Sequence, residues 1–144
     1  MAHAYQHWAL QRDSDNLLWV TLDKANSSTN TVSAAVLDEF NAVLDEAKAL
    51  NPKGMVIRSG KASGFIAGAD IEEFLSLKSG EDALAMVKRG WDCFNKLEAL
   101  AFPTVALIDG FCMGGGLELA LACRYRVAVD KPGTRLALPE VMLG

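Results

Sequence analysis

Residues 104–123 have the sequence TVALIDGFCMGGGLELALAC, in which a strand, a glycine corner and a helix follow one another directly. The apolar, β-branched run 104–108 is typical of a buried strand. The glycines at 114–116 allow a sharp turn, and the helix that starts there leaves its first amide N–H groups unpaired and electropositive. Such a corner is able to hold a developing negative charge. The glycines could equally serve only for tight packing of the helix against a strand.

Segments on either side of this stretch alternate between strand-like and helix-like patterns. Apolar residues share one face of 17–22, and 55–58 is a short apolar run, so both are predicted to be strands. Between them, Ser33 is the N-cap candidate of a helix that ends at Asn51-Pro52. Further helices are predicted at 69–75 and over the apolar stripe Leu84, Val87, Trp91, Phe94 and Leu97, and further strands at 125–129 and 135–138. This alternation predicts an α/β fold with a parallel sheet.

Composition limits the classes of protein to which the chain could belong. With 144 residues, 51% hydrophobic and 22% charged, it can bury one core, so we expect a single soluble domain. The net charge of -4 comes from 14 basic and 18 acidic side chains, and no basic stripe is present. Nucleic-acid binding is therefore not expected.

Targeting, membrane, disulfide and metal signals are weak in this sequence. Three cysteines, at 93, 112 and 123, form no close pair, which argues against a disulfide framework or a zinc knuckle. No apolar stretch is long enough to span a membrane and the amino terminus is polar, so we expect a cytoplasmic protein without membrane insertion. His3 and His7 lie in a terminus that we expect to be solvated, and no metal site is predicted.

Two glutamates are candidates for proton transfer. Glu118 is the only charged residue between Asp109 and Arg124, on an apolar helix, where we expect partial desolvation to raise its pKa towards a useful range. Glu140 follows the predicted strand 135–138, and sites form at strand ends in parallel sheets. From sequence alone, a catalytic glutamate cannot be told from a structural glutamate bonded to nearby backbone or from an ordinary solvated acid. Two acids beside free amides could move protons while the amides hold an oxyanion.

A third segment, GFIAGADI at 64–71, leads through small residues into an acidic first helical turn. It is a second candidate source of an amide donor, or else simply a helix terminus capped by Asp70. Dinucleotide and phosphate-loop fingerprints are not met: the glycine spacing at 114–116 does not match G-x-G-x-x-G, and no G-K-[ST] occurs.

Taken together, FIAGADI (65–71), GGGLELALAC (114–123) and LPEV (138–141) resemble the enoyl-CoA hydratase/isomerase (crotonase) superfamily. They are most similar to the amino-terminal hydratase part of multifunctional fatty-acid oxidation α subunits. The resemblance implies a crotonase-like ββα spiral with a mainly parallel sheet. It also implies that 1–144 is the N-terminal portion of one hydratase domain, left incomplete at the C-terminal side by the end of the chain at Gly144.

The resemblance also implies residue roles. The backbone N–H groups of Ala69 and Gly115 would form an oxyanion hole, and Glu118 and Glu140 would be the two catalytic glutamates. The acyl-CoA path would be lined by Ser28, Thr29, Ala67, Asp70 and Ile71. The segment that contains Ser28 and Thr29 differs from the family pattern, because the proline that frequently follows the lysine is absent after Lys24.

The activity implied is reversible hydration of 2-enoyl-CoA to 3-hydroxyacyl-CoA in fatty-acid β-oxidation, with Glu118 activating water and Glu140 protonating the α carbon. Two alternatives stay open: a Δ3,Δ2-enoyl-CoA isomerase and a non-catalytic acyl-CoA-binding or scaffold fragment. No cofactor is expected in this region, and NAD would belong only to a dehydrogenase region downstream. Expected partners are an acyl-CoA substrate, further copies of the chain or, in a full-length α subunit, a thiolase subunit.

Overall fold

A computed structural model describes residues 5–139 of the chain. Its elements are, in chain order, β1 (Trp8–Arg12), β2 (Leu17–Leu22), α1 (Ala34–Leu50), β3 (Gly54–Ser59), α2 (Ile71–Leu75), α3 (Gly80–Glu98), β4 (Thr104–Ile108), β5 (Phe111–Met113), α4 (Gly115–Ala122), β6 (Tyr125–Ala128) and β7 (Arg135–Ala137).

The strands form two sheets. The larger has the order β1-β2-β3-β4-β6, in which β1 pairs antiparallel with β2 and the other neighbours pair in parallel. The smaller is the parallel pair β5-β7. The predicted α/β class with a mainly parallel sheet is therefore confirmed. Strands β1 and β5 were not predicted, since β1 buries only its first residue and β5 has only three residues, too few for an alternating pattern.

Helix α1 lies against the sheet and closes the core. The Ser33 side chain accepts a hydrogen bond from the Val36 N–H at 3.2 Å, which confirms the predicted N-cap. At the other end Asn51 adopts a left-handed conformation with φ 45°, where the helix stops. The Trp8 ring stacks on Phe40 with centroids 4.7 Å apart, so the first strand packs on the helix that follows the second.

Helix α3 is present as predicted, but its apolar stripe is buried only at one end. Leu97 is buried at 1% exposure, whereas Leu84 is 63% and Trp91 is 57% exposed. Helix α3 contacts α1 instead at Cys93, whose thiol donates a hydrogen bond to the Leu37 carbonyl at 3.4 Å. The predicted helix is therefore confirmed, and the amino-terminal half of its apolar stripe is exposed in the described structure.

His7, near the amino terminus, is packed rather than solvated. His7 is 7% exposed, its Nδ1 accepts a hydrogen bond from the Ala25 N–H at 3.0 Å, and its own N–H donates to Glu39 at 2.8 Å. The expectation of a solvated His7 is therefore wrong, and His3 lies outside the described residues. Over residues 5–139, no group of three or more His, Cys, Asp or Glu side chains is placed to hold a metal ion.

The cysteines are buried and unpaired with one another. Cys93, Cys112 and Cys123 are free thiols, in line with the prediction of no disulfide framework. Burial raises the pKa of Cys112 to about 11 and that of Cys123 to about 12. Separately, none of the helices within residues 5–139 has the length and apolarity needed to cross a bilayer.

Candidate active site

Three loops that carry candidate residues follow the carboxyl ends of adjacent parallel strands. They come after Leu22 of β2, Ser59 of β3 and Ile108 of β4. Because neighbouring parallel strands end at the same edge of a sheet, the fold gathers these loops on one side of the molecule. Ligand sites in parallel α/β proteins are commonly built at such an edge.

The second and third loops are joined by main-chain hydrogen bonds. The Met113 N–H donates to the Ile66 carbonyl at 3.0 Å, and the Phe65 N–H donates to the Phe111 carbonyl at 3.0 Å. Ile66 and Cys112 also form an isolated parallel bridge. The structure therefore brings the GFIAGADI segment against the strand that leads into the glycine corner.

The glycine corner needs its glycines for two separate reasons. Gly114, the N-cap of α4, has φ 53° and ψ −121°, a conformation that side chains with a Cβ rarely adopt. A Cβ on Gly116 would lie 2.6 Å from the Ile66 Cβ and 2.9 Å from its carbonyl oxygen. The packing interpretation of these glycines is therefore correct for Gly116, and it does not compete with a role for the amide of Gly115.

Hydrogen bonds on neighbouring atoms fix the direction of both candidate amides. The Gly114 carbonyl accepts from the Glu118 N–H at 3.0 Å, and the Gly68 carbonyl accepts from the Val32 N–H at 2.7 Å. In a planar trans peptide the C=O and the following N–H point in opposite directions. The N–H of Gly115 therefore points out of the helix terminus, and that of Ala69 points away from Val32.

Neither candidate amide is engaged within the described part of the chain. Among residues 5–139, the N–H groups of Ala69 and Gly115 donate to no acceptor. Both residues lie next to Val32, which forms a parallel bridge with Ala69 and whose Cγ2 is 3.4 Å from the position of a Cβ on Gly115. Within residues 5–139, two available main-chain donors thus lie next to the same residue, Val32.

Glu118 lies on the first turn of α4 beside these donors, but its side chain is exposed. The helix buries Gly116, Leu119 and Ala120, so its inner face lies at other positions along the turn. The expectation that the apolar helix would partly desolvate Glu118 is therefore not met in the described structure.

Glu140, the other candidate acid, lies outside the described residues. The strand that precedes it in sequence, β7, is described, and it pairs in parallel with β5. The Ala137 carbonyl accepts a hydrogen bond from the Gly114 N–H at 2.9 Å. The chain therefore passes directly beside the glycine corner three residues before Glu140.

Candidate residues of the substrate path are also brought together. Asp70 forms an ion pair with Lys24 at 2.9 Å, and this hydrogen bond from the lysine holds the pKa of the carboxyl below its usual value. Asp70 also accepts from the Glu73 N–H at 3.3 Å, so its interpretation as a helix cap is correct as well. The carbonyl of Ser28 accepts from the Ser63 hydroxyl at 2.8 Å. Thr29 is partly buried, Ala67 is exposed, and Ile71 starts α2.

The model of the family described as Enoyl-CoA hydratase/isomerase matches residues 12–144 of the chain. The chain belongs to this family. It is 45% identical over 139 residues to the fatty acid oxidation complex subunit alpha of Aliivibrio fischeri, and 44% identical over 138 residues to that of Shewanella amazonensis. Each match covers 95% of this chain and 20% of the relative, so the chain spans about a fifth of the length of these relatives.

Solved structures place the fold in the same family. An enoyl-CoA hydratase from Bacillus anthracis superposes with a TM-score of 0.88 at 26% identity, covering 96% of this chain and 53% of that one. Pseudomonas aeruginosa AtuE superposes with a TM-score of 0.84 at 27% identity, with coverage of 96% and 53%. The predicted family and its crotonase-like fold are therefore confirmed.

Within this family member, sequence reasoning missed Asn30. The polar run 26–30, to which it belongs, is typical of a loop, yet Asn30 is 1% exposed and its side chain makes four hydrogen bonds. Asparagine is also common in turns, so its residue type does not separate a surface turn from a buried connection. The one available signal was its position between two candidate substrate-path segments.

Proposed function

We propose that this chain forms part of an enzyme that reversibly adds water to a 2-enoyl-CoA to give a 3-hydroxyacyl-CoA, a step of fatty-acid β-oxidation. The observation that carries the proposal is the pair of main-chain donors, Ala69 and Gly115, which are available among the described residues and both lie next to Val32, with Glu118 on the adjoining helical turn. Membership of the enoyl-CoA hydratase/isomerase family supports the same reaction class.

In the proposed reaction the two amides hold the thioester oxygen while it becomes an enolate. A preorganised donor of this kind contributes about 2.7–4 kcal/mol of transition-state stabilisation. Glu118 takes a proton from the water that attacks the β carbon, and Glu140 delivers a proton to the α carbon. Because Glu118 is exposed, it is accessible to water and substrate.

The acyl-CoA is proposed to run along the edge formed by the first two loops. Ser28, Thr29, Ala67, Asp70 and Ile71 would line this path. The Lys24–Asp70 ion pair and the hydrogen bond from the Ala67 N–H to the Asn30 carbonyl, at 2.8 Å, fasten the two loops to each other. A path between loops that are already fastened loses little ordering entropy when substrate binds. The reaction needs no resident cofactor, and any NAD chemistry is assigned to a downstream region.

Double-bond isomerisation is the second candidate. The family description names isomerases, and moving a proton between two carbons of an enoyl thioester requires only one carboxylate beside an oxyanion hole. Glu118 alone could serve in that reaction. A non-catalytic acyl-CoA-binding fragment is the third outcome, since this chain spans a fifth of its relatives' length.

The relatives are named as one subunit of a fatty acid oxidation complex. We therefore propose that the chain functions inside a larger cytoplasmic assembly, either with further copies of itself or with a thiolase subunit. Sedimentation of the full chain with and without a candidate partner measures this directly. A chain that stays monomeric alone and with a thiolase would contradict it.

A matched pair of assays tests the function. The chain is given a 2-enoyl-CoA, and loss of the conjugated thioester absorbance is followed; hydration predicts a steady loss. A 3-enoyl-CoA is given in parallel, and conversion of this substrate alone would replace hydratase by isomerase. Calorimetry with a saturated acyl-CoA on the same preparation completes the test. Binding without hydration of the 2-enoyl-CoA or isomerisation of the 3-enoyl-CoA would show that the chain is a non-catalytic acyl-CoA-binding fragment.

A further inference from the structure

The side chain of Asn30 has every polar atom engaged inside the protein. Its Oδ1 accepts from the Lys24 N–H at 2.9 Å. Its Nδ2 donates to the Leu22 carbonyl at 3.0 Å, the Phe65 carbonyl at 3.0 Å and the Ser59 hydroxyl at 2.9 Å. Two hydrogens thus serve three acceptors. A buried carboxamide with this many partners rigidly fixes the groups around it.

The partners of Asn30 belong to three separate parts of the fold. Leu22 and Ser59 are the last residues of β2 and β3, and Phe65 is hydrogen-bonded to Phe111 of β5, the strand that leads into the glycine corner. The main-chain carbonyl of Asn30 also accepts from the Ala67 N–H at 2.8 Å. One residue therefore ties the 65–67 segment to the carboxyl ends of two parallel strands.

The connection continues to the candidate oxyanion hole. Residues 30–32, here called the brace, run beside 66–69, and the Val32 N–H donates to the Gly68 carbonyl at 2.7 Å. Gly68 has φ 117°, so its peptide groups are not oriented by an ordinary strand conformation. The hydrogen bond from Val32 is what orients the Gly68–Ala69 peptide plane, and with it the N–H of Ala69.

We propose that Asn30 is a positioning residue for the oxyanion hole. Its buried carboxamide holds the brace against 65–68, and the brace aims the Ala69 N–H at the position of the thioester oxygen. This role rests on the proposed function. Asn30 itself touches no reacting atom; it acts through Val32 and Gly68.

Amide hydrogen exchange on the full chain tests the brace without any substrate. In the wild type we expect the Val32 and Ala67 amides to be protected. In Asn30→Ser, and in Asn30→Ala, we expect both to exchange at least ~10-fold faster, while the Ile57 and Ala106 amides in the sheet keep their rates. Asn41→Ala, which changes an exposed asparagine on α1, is the matched control. Unprotected amides in the wild type, or unchanged rates in the variants, would overturn the proposal.

Infrared spectroscopy and kinetics test whether the Ala69 N–H is oriented towards the thioester oxygen. The probe is butyryl-CoA labelled with carbon-13 at the thioester carbonyl. We expect the stretching frequency of this carbonyl to fall when the probe binds the wild type. In Asn30→Ser we expect the frequency to fall by half as much or less. A misplacement of ~1 Å costs about 10²-fold, so kcat should fall by about that factor with little change in KM. A full shift and full kcat in the variant would overturn the role of Asn30 alone. No shift and no turnover in the wild type would overturn the proposed function, and the role with it.

Discussion

Gly116 lies where the main chain of α4 touches Ile66, and no larger residue fits there. The hypothetical Cβ meets a backbone oxygen as well as side-chain carbons, so a rotamer change cannot relieve the overlap. The corner that presents the Gly115 amide therefore depends on the absence of a side chain at the next position. In the candidate oxyanion hole the donors are main-chain N–H groups, and packing against side chains such as Ile66 determines where those groups lie.

We expect Gly116→Ala to lower the free energy of unfolding by about 1–3 kcal/mol, because helix α4 must move away from Ile66. Urea denaturation followed by circular dichroism measures the change. Gly80→Ala is the control, since no atom lies within 4 Å of its added Cβ and alanine favours a helix by up to ~1 kcal/mol. Equal stability of wild type and Gly116→Ala would contradict the contact.

We expect Glu118→Gln to lower kcat for hydration by about 10²–10⁴-fold, because an amide cannot accept the proton of water. Its stability should change by less than about 1 kcal/mol, since the side chain is exposed. The 2-enoyl-CoA absorbance assay and urea denaturation measure the two effects. Glu81→Gln, on the first turn of α3, is the control, and undiminished turnover by Glu118→Gln would remove this glutamate from the mechanism.

Helix α3 separates helix formation from burial. Its N-cap Ser79 accepts from the Asp82 N–H at 3.1 Å, and acids occupy the first turn, so local sequence is sufficient to start it. Burial of the α3 side chains depends instead on which elements pack against the helix. In the described structure α1 packs against its carboxyl-terminal half. Two leucines on one helix therefore have very different surroundings.

We expect Leu97→Ala to cost about 2–5 kcal/mol of unfolding free energy, because it leaves a cavity in the hydrophobic core. Leu84→Ala, at a position 63% exposed on the same helix, should change stability by less than about 0.5 kcal/mol. Thermal and urea unfolding of the two variants compare them directly. A large loss for Leu84→Ala would mean that this face is covered in solution.

The elements that sequence predicted are those with a repeating side-chain pattern or a cap. Strand β2 alternates and α1 has both a stripe and Ser33, so each was found. Strand β5 was not, because it is held by backbone partners in 135–137 that no side-chain pattern reveals. The same reason limits the candidate site. The motifs were recognisable, but the Met113–Ile66 contact is between main-chain atoms.

For the whole molecule, the Lys24–Asp70 ion pair joins two of the loops at the sheet edge. The lysine side chain is 15% and the aspartate side chain 26% exposed, so the pair is only partly screened by water. The pKa of Asp70 is lowered in the folded state, chiefly by the hydrogen bond from Lys24. This stabilisation is present above the usual pKa of 3.8 and is lost as pH falls through the lower folded-state pKa.

We expect Asp70→Asn to be less stable than the wild type at pH ~7, with the difference shrinking as pH falls below ~4 because the wild-type carboxyl becomes protonated. Urea unfolding across this pH range measures it. Lys24→Met and the double variant complete a cycle in which the two single losses should not add. A difference that is constant with pH, or strict additivity, would show that the ion pair does not stabilise the fold.

The three buried thiols allow the folded state to be monitored by chemical labelling. Alkylating reagents attack thiolates, and at neutral pH burial leaves Cys93, Cys112 and Cys123 both protonated and out of reach. Iodoacetamide should therefore modify them only in molecules that have opened. Cys93 lies between α1 and α3, Cys112 in β5 and Cys123 after α4, so mass spectrometry of each modified peptide would time the opening of a different region.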